Sequence, residues 1–284
     1  MTPDEKRQVA DALVTDHQLP IQRACQAVKL SRPAFYKRPR PAMERDREVI
    51  EALLAMSERF SRNGFWKLYD RLRRAGKPWN HKRIWRVYRD LGLNLKRKSK
   101  PRLYRPRQPM VAPRALNTIW TADFMADALY GGRAFRTFNV LDEGNREALA
   151  IEIGFSIPTK RVIRTLEALV ALYGQPKALR LDNGPELTSI EFTAWCEDRN
   201  IQLLYIQPGE PNQNAFIERF NRSYREGVLD AYVFEQLEHV REATDPWLVD
   251  YNQERPHDSL GGVPPNEFMP RPQLPQESSY RLLT

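Results

Sequence analysis

The order of hydrophobic patterns after Trp120 constrains the fold of this 284-residue chain more than any other feature. In three successive segments, apolar and polar residues alternate or apolar residues follow one another, as in β-strands. Turns that contain glycine separate these segments. Helical and strand-like patterns then alternate along the chain. The predicted elements are strands at Ile119–Met125, Ala134–Asp142 and Ala148–Gly154, a helix at Thr159–Tyr173, a strand at Ala178–Asp182, a helix at Ser189–Arg199 and a strand at Ile201–Ile206. This order predicts an α/β domain with a mixed five-stranded sheet flanked by helices.

The chain before this domain reads as helical. Within residues 1–42, the second of three short helices, Ile21–Val28, carries its apolar residues at helical spacing, which makes Cys25 a core residue. Ser31 is a good N-cap for a third helix that ends in basic residues. A helix, a short turn and a capped basic helix are typical of a helix-turn-helix. A second three-helix unit is predicted over residues 43–94.

The last helix of this second unit opens at Asn80, a plausible cap, and has two different faces. Its apolar stripe consists of Ile84, Val87, Tyr88 and Leu91, and its basic face consists of Lys82, Arg86 and Arg89. A basic face can contact phosphates, but an ordinary helix also has a charged face where it is exposed to solvent. Two such units in tandem favour DNA binding.

Positive charge is concentrated between the helical region and the α/β region. The chain has 45 Lys and Arg against 36 Asp and Glu, a formal net charge of +9, and no acidic residue occurs from Leu91 to Trp120. That stretch contains several prolines and eight basic residues: Lys96, Arg97, Lys98, Lys100, Arg102, Arg105, Arg107 and Arg114. An extended basic arm is suited to a phosphate backbone, although a flexible linker, an acidic membrane surface or solubility would also account for the charge.

The cysteines, histidines and N-terminus exclude several classes of protein. The two cysteines, Cys25 and Cys196, are far apart, and the four histidines are scattered, so no zinc module is predicted. The first residues lack an apolar secretory core, and no run approaches the ~18 apolar residues of a membrane span. We therefore expect a cytoplasmic, reduced protein.

Three acidic residues stand at the ends of predicted elements in the α/β region. Asp123 lies within the first strand, Asp182 ends the fourth strand before an Asn-Gly turn, and Glu218 lies on the helix after a loop rich in Pro, Gly and Asn. Any one of them could be an ordinary surface charge. If they converge, their mutual repulsion calls for divalent cations, and their hard oxygen ligands suit Mg²⁺, with Mn²⁺ as a substitute.

The helix that carries Glu218 has an apolar side and a polar side. Phe216, Ile217, Phe220 and Tyr224 form its predicted buried stripe. Glu218 shares the opposite side with Asn214, Asn221, Arg222 and Arg225. Glu218 is therefore expected to point away from the hydrophobic anchor of its own helix.

Taken together, these motifs resemble the insertion-sequence transposases of the two-reading-frame type, specifically the second-frame product. The resemblance covers nearly the whole chain and rests on the segments SRPAFYKR, NHKRIWRVYRDLGL, WTADFM, LDNGPE, NQNAFIERFNRSYR and YNQERPHDSLGGVPPNEF. It implies a catalytic core of the ribonuclease-H-like, retroviral-integrase type behind all-α helix-turn-helix units. A retroviral integrase would normally add a His/Cys zinc domain, which this sequence lacks.

The resemblance also implies roles for individual residues. Asp123, Asp182 and Glu218 correspond to the family's Asp-Asp-Glu triad, and 35 residues separate the last two, as in the family. Arg225 corresponds to a basic residue expected to contact DNA near the metals, with a structural ion pair as the alternative. The predicted DNA contacts are Lys82, Arg86, Arg89, Lys96, Arg97, Lys98, Lys100, Arg102, Arg222 and Arg225. The predicted supporting residues are Asn183, Gly184, Asn214 and His257, the last in a terminal signature that structural anchoring would explain equally well.

The implied reaction is DNA strand cleavage and strand joining by in-line displacement with two metal ions and no covalent protein–DNA intermediate. DNA ends and target DNA are the expected partners, with a homo-oligomer assembled on them. An upstream-frame helix-turn-helix product is a further possible partner or fusion. The alternatives are a DNA-binding regulator with an inactive core and a nuclease that cuts without joining.

These patterns divide the chain into five predicted parts. Residues 1–42 form a helix-turn-helix-like segment, 43–94 a second helical DNA-binding domain, and 95–114 the basic linker. Residues 115–270 form the integrase-like core with a C-terminal strap, and 271–284 form a proline-containing tail.

Overall fold

The computed structural model describes residues 1–36, 42–95, 113–207 and 214–271. Six helices come first: α1 (Pro3–Thr15), α2 (Ile21–Ala27), α3 (Arg32–Tyr36), α4 (Ala42–Arg59), α5 (Phe65–Arg74) and α6 (His81–Asp90). The predicted DNA contacts of the linker, Lys96, Arg97, Lys98, Lys100 and Arg102, lie outside the described residues.

Helices α4, α5 and α6 share one hydrophobic core. Leu53 of α4, Leu68 of α5 and Ile84 of α6 are fully or almost fully buried in it. The predicted cap of α6 is present, since the Asn80 side chain accepts a hydrogen bond from the Lys82 backbone N–H at 2.9 Å. The amphipathic pattern of α6 therefore folds as expected, with its apolar stripe inside the unit.

A mixed five-stranded sheet forms the centre of the second region and confirms the predicted fold class. Its spatial order is β3-β2-β1-β4-β5. The first three strands are antiparallel neighbours, whereas β4 and β5 run parallel to β1. The strands are β1 (Ile119–Ala128), β2 (Ala134–Asp142), β3 (Ala148–Gly154), β4 (Ala178–Leu181) and β5 (Gln202–Tyr205).

Helices cover both faces of this sheet. Helices α7 (Thr159–Tyr173) and α8 (Ile190–Asp198) pack with Trp120 and Ala122 of β1 in the main core. Helices α9 (Ala215–Tyr224) and α10 (Leu237–Val249) pack in two smaller clusters, with residues such as Leu141 of β2. Because side chains alternate along a strand, Thr121 and Asp123 face away from the main core and toward α9.

The C-terminal part is more regular than the sequence predicts. No element is predicted over the range of helix α10, which contains Pro246. A π-helical turn follows α9 at Arg225–Leu229 and another follows α10 at Asp250–Glu254. A strap then runs through a short 3₁₀ turn, Asp258–Leu260, to the last helix, α11 (Pro265–Phe268).

Buried ion pairs attach this C-terminal part to the rest of the chain. Arg71 of α5 donates two hydrogen bonds to the Asp250 carboxylate, at 2.8 and 2.7 Å. Arg271 pairs with Asp142 and Glu147 at the β2–β3 turn, both at 2.6 Å. Arg271, the first residue of the predicted tail, is therefore packed against the core.

No helix in the described ranges is long and apolar enough to cross a membrane.

His257 holds the strap through backbone contacts. Its Nε2 lies 2.9 Å from the Tyr251 carbonyl oxygen, and its backbone forms a bridge with Val263. Burial, opposed by the hydrogen bond to Tyr251 and assisted by the nearby cations Arg255 and Lys67, lowers the pKa of His257 to about 4. The imidazole is thus neutral in the folded protein at neutral pH.

This depressed pKa makes stability depend on pH. Since the unfolded chain takes up the proton near pH 6.5 and the folded chain only near pH 4, the contribution of His257 is complete above about pH 6.5 and is lost as the pH falls toward 4. We expect a loss of about 2–3 kcal/mol between pH 7.5 and 4.5 in urea unfolding, beyond that of His257→Gln. Equal pH dependence in the two proteins would contradict this assignment.

Candidate active site

Asp123 lies in the middle of β1, on the face that α9 covers. Its Oδ1 accepts a hydrogen bond from the Phe124 backbone N–H at 2.9 Å, and its Oδ2 accepts one from the Asn221 side chain at 2.7 Å. Asn221 in turn accepts a hydrogen bond from Asn139 of β2, also at 2.7 Å. A chain of buried amides therefore fixes the carboxylate against the sheet.

Asp182 follows the end of β4, the parallel neighbour of β1. The register pairs Thr121 with Arg180, so continuing it by two residues brings Asp182 level with Asp123. The Asp182 carboxylate accepts a hydrogen bond from the Gly184 backbone N–H at 3.2 Å. A Cβ at Gly184 would lie 3.2 Å from that carboxylate oxygen, so glycine leaves room for it. The Asn183 side chain donates to the Ile206 carbonyl, which ties this turn to the end of β5.

Glu218 is exposed in the first turn of α9, and two contacts anchor this helix to β1. The Thr121 hydroxyl donates to the Asn214 side chain at 2.6 Å, and Asn221 binds Asp123 as described above. Ile217 and Phe220 are buried beneath the helix, as predicted, whereas Phe216 is only partly buried. The buried side of α9 therefore positions the turn from which Glu218 projects.

The charges of Asp182 and Glu218 act on Asp123. Burial, followed by the neighbouring charge of Asp182 and a smaller effect of Glu218, raises the pKa of Asp123 to about 6. The hydrogen bonds from Phe124 and Asn221 oppose this shift. A carboxylate that is disfavoured by two other carboxylates is a position where a cation would be stabilised.

The donor set fits a hard divalent cation, since it consists of carboxylate oxygens beside a neutral amide. Within the described ranges, however, no three His, Cys, Asp or Glu side chains form a ready-made metal-binding group. One oxygen of Asp123 is already engaged by Asn221, and Glu218 is turned to solvent. Binding a cation there would therefore require side-chain adjustment.

Two features of this region were missed by sequence reasoning. The first is the Asn139–Asn221 chain, for which the only signal was the position of Asn221 on the same side of α9 as Glu218. The second is Arg136 of β2, whose guanidinium lies over the Phe124 ring at 4.1 Å and pairs with Glu186. Arg136 therefore offsets the negative charge of the turn that follows Asp182.

Comparisons with known proteins agree with this fold. Two models described as "Integrase core domain" match residues 113–211 and 199–265, and one described as "HTH-like domain" matches residues 44–101. The 39.2 kDa protein of insertion element IS476 from Xanthomonas euvesicatoria is 35% identical over 94% of this chain and 78% of its own length. The 31.7 kDa protein of insertion element IS407 from Burkholderia multivorans is 36% identical over 87% of this chain and 89% of its own length.

The chain belongs to the insertion-sequence transposases with an integrase core. It is accordingly a DNA-processing enzyme, and its function is DNA transposition. Among solved structures, a simian T-cell lymphotropic virus intasome, determined in complex with a regulatory subunit of PP2A, contains a chain similar in fold. The TM-score is 0.51 and the identity 17%, and the match covers 79% of this chain and 76% of that one.

The predicted DNA contacts of the transposase differ in their surroundings. Lys82 and Arg89 are exposed on α6, and Arg222 is exposed on α9. Arg86 instead pairs with the buried Asp46 of α4. Arg225 pairs with Asp127 at 3.0 Å and donates to the Ala126 carbonyl at 2.9 Å. Arg225 therefore has the structural ion pair that the sequence left open as an alternative.

The amide chain behind Asp123 leads to a prediction about metal use by the transposase. Replacing Asn221 with alanine removes one anchor of the carboxylate and leaves Asn139, which is fully buried, without its acceptor. We expect cleavage to fall about 10- to 100-fold, and the Mn²⁺ concentration for half-maximal activity to rise by a similar factor.

The control for this variant is Arg222→Ala, a change at the next position of the same helix on an exposed side chain. Its metal midpoint should match that of the wild type, even where its DNA binding is weaker. If Asn221→Ala loses activity without any change in the metal midpoint, Asn221 does not position Asp123 for a metal.

Proposed function

We propose that the transposase binds the ends of its element and catalyses DNA strand cleavage and strand transfer with two divalent cations held by Asp123, Asp182 and Glu218. Mg²⁺ is the proposed ion, with Mn²⁺ as a substitute. Such a pair of ions, when bound, activates the attacking oxygen and stabilises the leaving oxygen of an in-line displacement at phosphorus. No covalent protein–DNA intermediate is involved in this scheme.

The observation that carries the proposal is the electrostatic coupling of Asp123 to both other acids. Asp123, in the middle of β1, lies level with Asp182, which follows the end of the adjacent parallel strand β4, and Glu218 lies on the helix that binds Asp123 through Asn221. Together they raise the pKa of Asp123 to about 6, with burial as the largest cause. Unrelated surface acids in a basic protein would not be expected to show this electrostatic coupling.

The chain's own residues have defined roles in this proposal. Asn221 and the Phe124 N–H hold the Asp123 carboxylate, and the turn at Asn183–Gly184 holds that of Asp182. Arg222 on α9, together with Lys82 and Arg89 on α6, is available to contact phosphates of the bound DNA. The main role of Arg225 would be structural, since it holds α9 to β1. Arg86 would likewise join α6 to α4.

We further propose that the protein works as a homo-oligomer on DNA. The similar fold in a viral intasome supports an assembled arrangement, and the HTH-like domain supports recognition of DNA ends. Target DNA and, as partner or fusion, an upstream-frame helix-turn-helix product complete the proposed set of partners.

A strand-transfer assay on a labelled duplex carrying the element's own terminus tests this function. Nicked and joined products should form with Mg²⁺ or Mn²⁺ and be absent with a chelator. Products that form equally well in the chelator would exclude metal-dependent chemistry. Specific binding without products, even with the upstream product added, would favour a DNA-binding regulator with an inactive core.

A further inference from the structure

The three-helix unit formed by α4, α5 and α6 has an aromatic groove on its surface. Trp66 of α5 is 61% exposed and Trp85 of α6 is 41% exposed, although large apolar side chains usually lose most of their contact with water. They border a cavity of about 320 Å³, which we call the aromatic groove. The groove is lined by Phe65, Trp66, His81, Lys82 and Trp85.

The rings of the groove are held in place by the fold of the unit. Phe65 is buried and contacts Trp85 edge to face, with ring centroids 4.7 Å apart. Trp85 is stacked on Tyr88 at 5.7 Å, with an interplanar angle of 18°. Trp66 and His81 lie 6.0 Å apart at 32°. The exposed ring faces are thus oriented before any ligand arrives.

The charge around the groove is mainly positive. Lys82, a predicted DNA contact, lines it directly. A wider cleft of about 630 Å³ shares Phe65, Trp66 and Trp85 with the groove. The other residues that line this cleft are Arg62, Gly64, Lys67, Tyr88, Asn94, Leu95 and one acid, Asp258. Leu95 is the first residue of the predicted basic linker, so the wider cleft extends from the aromatic groove to the described start of that linker.

The groove also adjoins the helix that carries a proposed catalytic acid. Asp258, at the edge of the wider cleft, pairs with Arg219 at 3.6 Å. Arg219 directly follows Glu218 on α9. The wider cleft and the first turn of α9 are therefore linked through this exposed ion pair.

We propose that the aromatic groove binds an unpaired nucleobase of the DNA end by stacking on Trp66 and Trp85. This inference rests on the proposed function, because it places the groove beside DNA held for cleavage. Every nucleobase has a π-face that can stack on an aromatic ring, so such a site is tolerant of sequence. Lys82 and the basic cleft would contact the phosphates on either side of that base.

Charge favours DNA over a protein as the occupant. An apolar protein partner would need no cations at the rim, whereas a DNA strand presents a phosphate at every nucleotide. Aromatic rings interleaved with Lys and Arg are the arrangement that binds single-stranded nucleic acid. Occupation by a second copy of this chain is the alternative that the experiment must separate.

The test compares binding of a blunt duplex with that of the same duplex carrying a short unpaired thymidine overhang. The wild type should bind the overhang duplex about tenfold more tightly, with saturable quenching of tryptophan fluorescence. Trp66→Ala and Trp85→Ala should each remove most of that preference while leaving blunt-duplex binding near wild type. Tyr130→Ala, at an 80% exposed aromatic residue in the β1–β2 turn, is the matched control and should keep the preference.

Two outcomes would overturn the inference. One is equal binding of the two duplexes by the wild type. The other is a change in oligomeric state in Trp66→Ala, measured by sedimentation, with the overhang preference intact, since this would make the groove a protein interface. Asp182→Asn separates this inference from the proposed function. It should lose strand transfer and keep the preference, so failure of the groove and failure of the catalytic triad give different results.

Discussion

Asp182→Asn and Glu218→Gln are each expected to reduce strand cleavage and joining by at least about a thousandfold while preserving DNA binding. Each substitution removes a charged oxygen ligand from a site where bound cations would supply several kcal/mol of transition-state stabilisation. The measurement is product formation from a labelled element terminus in Mn²⁺, with binding of the same duplex measured in a chelator. Activity that survives either substitution would remove that acid from the triad.

Asp182→Asn gives a second readout without DNA. Asp182 is a major source of the repulsion that raises the pKa of Asp123, after burial. Asp182→Asn should therefore raise the melting temperature of the metal-free protein slightly and reduce its stabilisation by Mn²⁺. Asp198→Asn, at an exposed acid at the end of α8, is the matched control and should change neither quantity.

The second large effect concerns the ion pair between the helical unit and the C-terminal part. Asp250→Asn is expected to destabilise the protein by about 3 kcal/mol, because the Arg71 side chain is only 5% exposed and would lose the charge that compensates its burial. Arg71 is also stacked 3.6 Å above the Phe60 ring, so it has little freedom to reach solvent.

Urea unfolding of three variants separates the charge effect from a general effect of substitution. Replacing both partners, in Arg71→Leu/Asp250→Leu, should recover most of the lost free energy of unfolding because no unpaired charge remains. Arg74→Gln breaks a neighbouring, exposed pair with Glu267 and should cost less than about 1 kcal/mol. If Asp250→Asn and Arg74→Gln were equally mild, the Arg71–Asp250 pair would not hold the two parts together.

The predicted sheet and its helices are confirmed. They could be predicted because hydrophobic periodicity and turn residues are properties of short stretches of sequence. The bounds of β2, β3 and α7 agree with the prediction to the residue. Strand β1 extends beyond the predicted Met125 to Ala128, since the antiparallel pairing with β2 continues to Ala134. Strand β4 ends one residue earlier than predicted, at Leu181, because Asp182 begins the turn with Gly184. Strand β5 is one residue shorter than predicted at each end.

The candidate site was predictable only in part. The three acids stand out because one lies within the first strand, one ends the fourth strand and one lies on the helix after the loop rich in Pro, Gly and Asn. Their catalytic role stays a prediction. The partners of the basic residues were not predictable: Arg86 meets Asp46 from another helix, and Arg225 meets Asp127 from a strand about a hundred positions earlier. A periodic pattern shows which side of a helix is polar, but not which polar residue another element will neutralise.

The sequence alone determined the order of elements, the element on which each acid lies and the basic character of the segment between the two regions. These properties depend on residues close together in the chain, through hydrophobic period and turn chemistry. Only the tertiary structure brought Asn139 and Asn221 together behind Asp123, attached α5 to Asp250, and left Trp66 and Trp85 exposed. Those outcomes depend on contacts between residues far apart in sequence, which no local pattern records.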